Sequence, residues 1–262
     1  GVMGTVTPEF GGDLKTSQNT FILEPVSYDN LHNNRSTRNF WISIENGPLF
    51  SAMGASARQH ARKGSPSADE ATLFAGMLYQ RVERTIGKSG LKTEVTTFVP
   101  VDTDDKIELT KVKITNASPE PITFTPTAAV PIYGRSADNI RDHRNVTSML
   151  NRIHTSKYGV VNDPTLTFDE RGHRKNEVEY GFYACEEEGI APSCFCPLLE
   201  DFIGEGGTLD NPRFPVVGAP KYQIGDRIDG FEAMGACMFE KKTLAPGNSV
   251  EFVMALVIGE RG

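Results

Sequence analysis

Apolar and polar residues are interleaved through the middle of the chain, where four β-like segments follow one another between turns. The segments are residues 79–86, 91–100, 106–116 and 122–133. Alternation with a period of two places successive side chains on opposite faces, which is typical of a half-buried strand. The four segments therefore predict an antiparallel meander and an all-β fold.

The end of the chain predicts a hairpin. Residues 233–244 form its first strand, and the sequence Ala-Pro-Gly-Asn at residues 245–248 forms its turn. The second strand has an apolar face made of Val250, Phe252, Met254, Leu256 and Ile258. Additional valines on its other face predict a central strand, because only a central strand has both faces covered.

Other segments are less regular. Residues 40–44 (FWISI) have the aromatic and β-branched content of a buried strand. Residues 58–70 predict a surface loop or a short helix, and residues 186–227 predict a long irregular excursion. Residues 134–158 fit either a helix or a hairpin strand, and the β context favours the strand. Further strands are expected near residues 166–168 and 177–185.

Composition supports one large domain. The chain has 262 residues, and its 25 glycines and 16 prolines are spread along its length. Glycines and prolines distributed in this way favour many turns over long helices. A single β-sandwich often reaches ~200 to 250 residues. We therefore expect one antiparallel two-sheet β-sandwich over residues 1–262, with few short helices.

Charge and cysteine content exclude several classes of function. The net charge of -7 arises from interspersed acids and bases, so no basic face for nucleic acid is expected. No apolar run reaches the ~20 residues of a membrane span, and no signal peptide is recognisable. Irregular cysteine spacing predicts reduced thiols and no metal site. These features predict a cytoplasmic protein. The four cysteines are Cys185, Cys194, Cys196 and Cys237.

Three stretches carry a resemblance to a known family. Residues 90–100 (GLKTEVTTFVP) precede residues 109–118 (LTKVKITNAS), and residues 242–247 (KTLAPG) precede residues 252–259 (FVMALVIG). The third stretch is DNLHNNR at residues 29–35 with RNFW at residues 38–41. In this order, the stretches resemble the N-terminal domain of glycoside hydrolase family 94, the cellobiose and chitobiose phosphorylases.

The resemblance implies a supersandwich like that of galactose mutarotase, followed in the family by a helical linker and an (α/α)6 barrel. The barrel carries the general acid and most of the phosphate site, so no catalytic residue is expected in residues 1–262. The chain is then expected to be the N-terminal fragment of a longer phosphorylase. Implied partners are a β-linked oligosaccharide, the C-terminal barrel and a second subunit in a homodimer. No cofactor is implied, and inorganic phosphate would be the co-substrate.

Two polar segments are candidates for sugar contact. The first has the amide, guanidinium and indole groups that a sugar site uses. Its alternative is structural, with Trp41 as a core anchor and the amides bonded to turn backbone. The members of the first segment are His32, Asn34, Arg35, Arg38 and Trp41.

The second candidate segment lies after the meander. Its guanidinium groups match sugar hydroxyls or phosphate, although Asp138 and Asp142 offer internal ion-pair partners that would make the segment structural. In the resembled family, this region lies close to the barrel and to the dimer partner. The candidate residues are Arg141, His143, Arg144 and Asn145.

A different class of function remains open at this point. The chain could be a free-standing sugar-binding or mutarotase-like sandwich, for which a pair from His143, His154 and Glu179 would supply acid and base. The two hypotheses differ in one structural expectation. A module of a larger enzyme should expose an apolar patch where another domain docks, whereas a self-contained protein should not.

Overall fold

The computed structural model describes residues 1–27, 37–138, 144–169, 172–218 and 221–261. The strands are β1 Met3–Gly4, β2 Leu14–Ser17, β3 Thr20–Leu23, β4 Asn39–Ile44, β5 Leu49–Ser51, β6 Glu70–Gly76, β7 Tyr79–Thr85, β8 Leu91–Phe98, β9 Ile107–Asn116, β10 Ile122–Ile132, β11 Arg152–Thr155, β12 Gly159–Asn162, β13 Leu166–Asp169, β14 Gly172–Lys175, β15 Val178–Glu186, β16 Cys194–Phe195, β17 Arg227–Asp229, β18 Ala233–Met238, β19 Lys242–Leu244 and β20 Ser249–Glu260. The helices are α1 Ala57–His60, α2 Arg144–Ser148, α3 Leu199–Ile203 and α4 Phe214–Val217, with a 3-10 turn at Glu187–Gly189.

Two antiparallel sheets form the body of the protein. The nine-stranded sheet has the order β17-β11-β12-β15-β20-β9-β8-β7-β6. The six-stranded sheet has the order β16-β18-β10-β4-β5, and β19 also pairs with β10. Strands β1 to β3 form a separate small sheet, and β13 pairs only with β14 within the described residues. The predicted all-β antiparallel sandwich is confirmed.

The main core lies between the two large sheets. Strand β20 shows how the sequence pattern forms it, because its even-numbered residues from Val250 to Ile258 are buried and its odd-numbered residues are partly exposed. Phe252 of β20 contacts Phe40 of β4 and Phe239, with ring centroids 4.8 and 4.9 Å apart. These aromatic contacts join the nine-stranded sheet to the six-stranded sheet.

A second apolar cluster covers the outer face of the six-stranded sheet. Alternate residues of β4, β10 and β18 supply Trp41, Ala129 and Met234 to this cluster. Phe202 of α3 and Phe214 of α4 pack on it from above. The excursion of residues 186–227 thus has little regular structure, as predicted, but its two short helices cover a sheet.

The structure corrects two predictions about strand connections. The meander ends at β9, because β10 crosses into the six-stranded sheet and pairs with β4 and β18. The closing hairpin is wrong, since β18 and β19 pair with β10, whereas β20 pairs with β9 and β15. The turn at residues 245–248 therefore passes between sheets. The prediction that β20 is central is confirmed.

Residues 134–158 combine the two conformations that their sequence allows. Helix α2 comes first, and strand β11 follows it. The strand favoured for the whole segment is therefore wrong for residues 144–148. Strand β6 was not predicted at all, because all seven of its residues are exposed and it shows no buried alternation.

Candidate functional site

The structure describes the side chains of only two of the predicted site residues, Arg38 and Trp41. Residues Arg144 and Asn145 begin helix α2. The remaining predicted residues lie outside the described part of the chain, and they are His32, Asn34, Arg35, Arg141 and His143.

Arg38 lies in a buried ion pair and not at a surface. Its Nε donates to Glu108 Oε1 at 2.5 Å, and its Nη2 donates to Glu108 Oε2 at 2.9 Å. A further bond runs from Nη2 to the carbonyl oxygen of Asp13 at 3.2 Å. The guanidinium has 0% exposure. Arg38 therefore ties the N-terminal segment to β9, and it has no surface to offer a ligand.

Trp41 occupies the core position that its alternative interpretation assigned to it. The side chain is 1% exposed, so neither face of the indole is free to stack on a sugar ring. The indole nitrogen is buried and has no hydrogen-bond partner within the described residues. Buried tryptophan N–H groups usually have a partner. Trp41 nevertheless lies at the floor of a pocket.

This pocket, called here the outer pocket, opens on the outer face of the six-stranded sheet and has a volume of about 790 Å³. Its size falls within the ~300–1,000 Å³ range of small-molecule sites. Three loops form its walls: residues 7–11, residues 55–63 and residues 202–210. The floor is apolar and the rim is polar, with lining residues that include Thr37, Asn39, Trp41, Ala129, Pro131, Phe202 and Met234.

A buried hydrogen-bond network holds the pocket's wall against its floor. Asn39 Oδ1 accepts from Ser51 Oγ at 2.7 Å, which links β4 to β5. Gln59 of α1 donates to the carbonyl oxygen of Ser51 at 3.0 Å and to Asp69 Oδ2 at 2.7 Å. Helix α1 begins where Ser56 Oγ accepts from the Gln59 amide at 3.2 Å. Because these groups are buried and paired, α1 is fixed above the sheet.

Behind this network, Asp69 is flanked by two arginines. Arg62 Nη2 lies 3.2 Å from Asp69 Oδ1, and Arg84 Nη1 lies 3.5 Å from Oδ2. Burial lowers the pKa of the Arg84 guanidinium, and the charge of Asp69 opposes that shift. The ion pairs anchor the segment that follows α1 to β7.

The rim of the outer pocket is charged. Glu9 Oε2 lies 3.7 Å from His60 Nε2, and Glu9 Oε1 contacts Lys63 Nζ. On the opposite wall, the Asp210 carbonyl accepts from the Ala57 amide at 2.7 Å. Carboxylate, ammonium and imidazole groups above an apolar floor can bind hydroxyl groups while the floor packs on a ring.

Sequence reasoning missed most of this pocket. Residues 58–70 were expected to form a surface loop or a short helix, but nothing in the sequence joins Glu9, His60, Lys63 and Asp210. These residues meet only because three loops converge over one sheet face. Period-two alternation in β4 placed Asn39 and Trp41 on a common face, and this was the one usable signal.

The described part of the chain offers few other groups for thiol or metal chemistry. All four cysteines are free thiols, as predicted, and burial raises the pKa of Cys196 to about 12. No group of three or more histidine, cysteine, aspartate or glutamate residues is placed to hold a metal ion in the described ranges. Among these residues, no helix is long and apolar enough to cross a membrane.

Comparisons with known proteins agree with this architecture. A family model described as "Glycosyl hydrolase 94, supersandwich domain" matches residues 25–262. No curated protein matches the chain. A solved structure of "Polysaccharide Lyase BACCELL_00875" is similar with a TM-score of 0.51 and 10% identity, over 100% of this chain and 32% of that one.

A second solved structure, a bacterial glucoamylase complexed with acarbose, has a TM-score of 0.54 and 9% identity. The similarity covers 99% of this chain and 30% of the glucoamylase chain. The chain thus spans about a third of the length of either structure. At such identities the likeness concerns the fold.

Proposed function

Because the chain belongs to the glycosyl hydrolase 94 supersandwich domain family, we propose that it is the non-catalytic sandwich module of a carbohydrate phosphorylase. The family match over residues 25–262 is the observation that carries this proposal. The module contributes one wall of a cleft for a β-linked oligosaccharide and takes part in a homodimer. It acts in the cytoplasm, joined to a catalytic barrel that uses inorganic phosphate.

The charge arrangement of the outer pocket supports a binding role over a catalytic one. Inverting phosphorolysis needs a carboxylic acid that protonates the glycosidic oxygen while phosphate attacks from the opposite face. Both carboxylate oxygens of Glu9 face nitrogen atoms of basic side chains, one the Lys63 ammonium and one the His60 imidazole. Asp210 Oδ1 accepts from the Thr208 hydroxyl. The carboxylates of Glu9 and Asp210, held by these contacts, are suited to positioning hydroxyl groups.

An apolar stripe on the outer face of the nine-stranded sheet supports the module hypothesis over a self-contained protein. Strand register places five side chains in one row across five neighbouring strands, and these are Tyr183, Ala255, Leu109, Phe98 and Tyr79. Tyr79 is 47% exposed. Soluble monomers rarely expose large contiguous apolar patches. The stripe is what the module hypothesis expects where another domain docks.

The mutarotase-like alternative lacks support from the described residues. His154 of β11 pairs with Val161 of β12, whose partner on β15 is Gly181. Glu179 therefore lies two strands away from His154 and two residues further along β15. Two strand spacings separate the two backbones by about 10 Å, so the two residues are not direct neighbours in the sheet. His143, the other candidate, lies outside the described residues.

Lysine substitution tests whether the outer pocket binds sugar. We expect Lys63→Ala to weaken binding of a β-linked disaccharide about tenfold, because a charge-assisted hydrogen bond to a hydroxyl contributes ~1.5 kcal/mol. Binding would be measured by NMR titration of the 262-residue chain with cellobiose. Perturbed resonances should map to the three loops around the pocket.

Lys241→Ala is the matched control, because Lys241 also forms an exposed pair with a glutamate, Glu45. The two lysines are similarly exposed, at 58% and 55%. We expect this control to leave the affinity unchanged. Equal losses in the two variants, or perturbations away from the outer pocket, would contradict a sugar site there.

A further inference from the structure

Strand β6 forms one edge of the nine-stranded sheet, and all seven of its residues are exposed. It pairs with β7 on one side, from Glu70 opposite Thr85 to Gly76 opposite Tyr79. On the other side, no strand within the described residues pairs with it. The backbone N–H and C=O groups along that side are therefore available to a further strand.

This edge lacks the usual protection against strand pairing. Natural sheets protect edges with lysine, proline, bulges or very short strands. The sequence of β6 is EATLFAG, which contains neither lysine nor proline. Its seven pairs with β7 follow in unbroken register, so there is no bulge. Leu73 is 46% exposed and Phe74 is 39% exposed. A long, regular and apolar edge of this kind favours recruitment of another strand.

We propose that the partner is β6 of a second copy of this chain, paired antiparallel about a two-fold axis at Leu73. In this register Leu73 faces Leu73 of the other copy, Ala71 faces Ala75, and Thr72 faces Phe74. The only charged residue of the strand, Glu70, faces Gly76. No like charges oppose each other, and Leu73, Ala71 and Ala75 meet apolar residues.

The faces of the strand agree with the same axis. Leu73 lies opposite Val82, whose side chain is in the main core, so Leu73 is on the inner side of the sheet together with Ala71 and Ala75. Residues that face one another across an antiparallel pair must share a face. The pairs 71 with 75 and 73 with 73 meet this requirement. The joined strands form one continuous inner row of alanine and leucine side chains.

The dimer joins two nine-stranded sheets edge to edge. This interface rests on the homodimer proposed above and specifies how that dimer forms. It is isologous, as expected for a two-fold dimer, because each copy presents the same surface. A β-ladder also satisfies backbone groups that one copy leaves to solvent.

Charge substitution at Leu73 tests the axis directly. We expect the wild-type chain to be a dimer by sedimentation equilibrium, and Leu73→Lys and Leu73→Glu each to be monomers, because like charges would oppose each other at the axis. Mixing the two variants should restore a dimer, in which lysine faces glutamate. Val217→Lys, at a residue 61% exposed on α4, is the control and should remain dimeric.

Each outcome of these experiments either supports or contradicts the proposed interface. A monomeric wild-type chain would overturn the interface. A dimer that survives Leu73→Lys would overturn the interface while leaving the dimer and the carbohydrate role intact. If the charged variants fail to fold, Leu73→Cys provides the second test. A short bismaleimide should then cross-link two copies, whereas Ala71→Cys, which would face Ala75 of the partner copy, should cross-link less efficiently. The reverse order would overturn the register.

Discussion

Replacing Arg38 with alanine is expected to lower the free energy of unfolding by about 3–5 kcal/mol, because the change leaves the Glu108 carboxylate buried without its partner. Glu108 is only 4% exposed, and both of its carboxylate oxygens accept from Arg38. The loss of the bond to the Asp13 carbonyl would also release the N-terminal segment. Urea unfolding followed by circular dichroism measures the difference.

The double variant Arg38→Met with Glu108→Leu provides the control. Replacing both partners with apolar residues removes the uncompensated charge, and such replacements of buried pairs are often neutral or stabilising. We therefore expect the double variant to recover most of the lost stability. Exposed ion pairs contribute less than about 1 kcal/mol to stability. A loss of this size for Arg38→Ala would therefore contradict a buried ion pair.

Phe252→Ala is expected to cost about 3–5 kcal/mol, as large-to-small changes of fully buried aromatic residues do. The Phe252 ring contacts Phe40 and Phe239 on the opposite sheet. Its removal leaves a cavity between the sheets, which costs contacts on both of them. Thermal and urea unfolding of the variant would measure the effect.

Phe231→Ala is the matched control for this core position. Phe231 is 41% exposed, so its truncation should change stability by roughly 0.5 kcal/mol or less. Similar losses in both variants would show that the Phe252 cluster does not join the sheets as described.

The parts of the fold that the sequence predicts are those that depend on local pattern. Burial alternates with a period of two in β8, β9 and β20, and one face of each packs on the main core, whereas in β7 only Val82 is buried. The choice of neighbouring strand depends on contacts between distant residues. Strand β10 thus crosses to the other sheet, and β18 and β19 pair with β10 and not with β20. Local pattern carries no information about such crossings.

The candidate site was harder to predict for a related reason. Arg38 has the residue type of a sugar ligand, but its partner Glu108 lies 70 residues away in the sequence, so the buried pair was not foreseeable. Trp41 likewise has a side chain of a type that sugar sites use, but the segment of residues 186–227 covers it. The outer pocket arises from three converging loops, and only the shared face of Asn39 and Trp41 in its floor follows from the two-residue period of β4.

Phosphorolysis by the 262-residue chain and by the full product of its open reading frame tests the central claim most directly. Each protein would be incubated with inorganic phosphate and a panel of β-linked disaccharides, and sugar 1-phosphate release would be measured. We expect release by the full product and none by residues 1–262, because the chain supplies a binding wall and not the general acid. Phosphate-dependent turnover by residues 1–262 alone would contradict it.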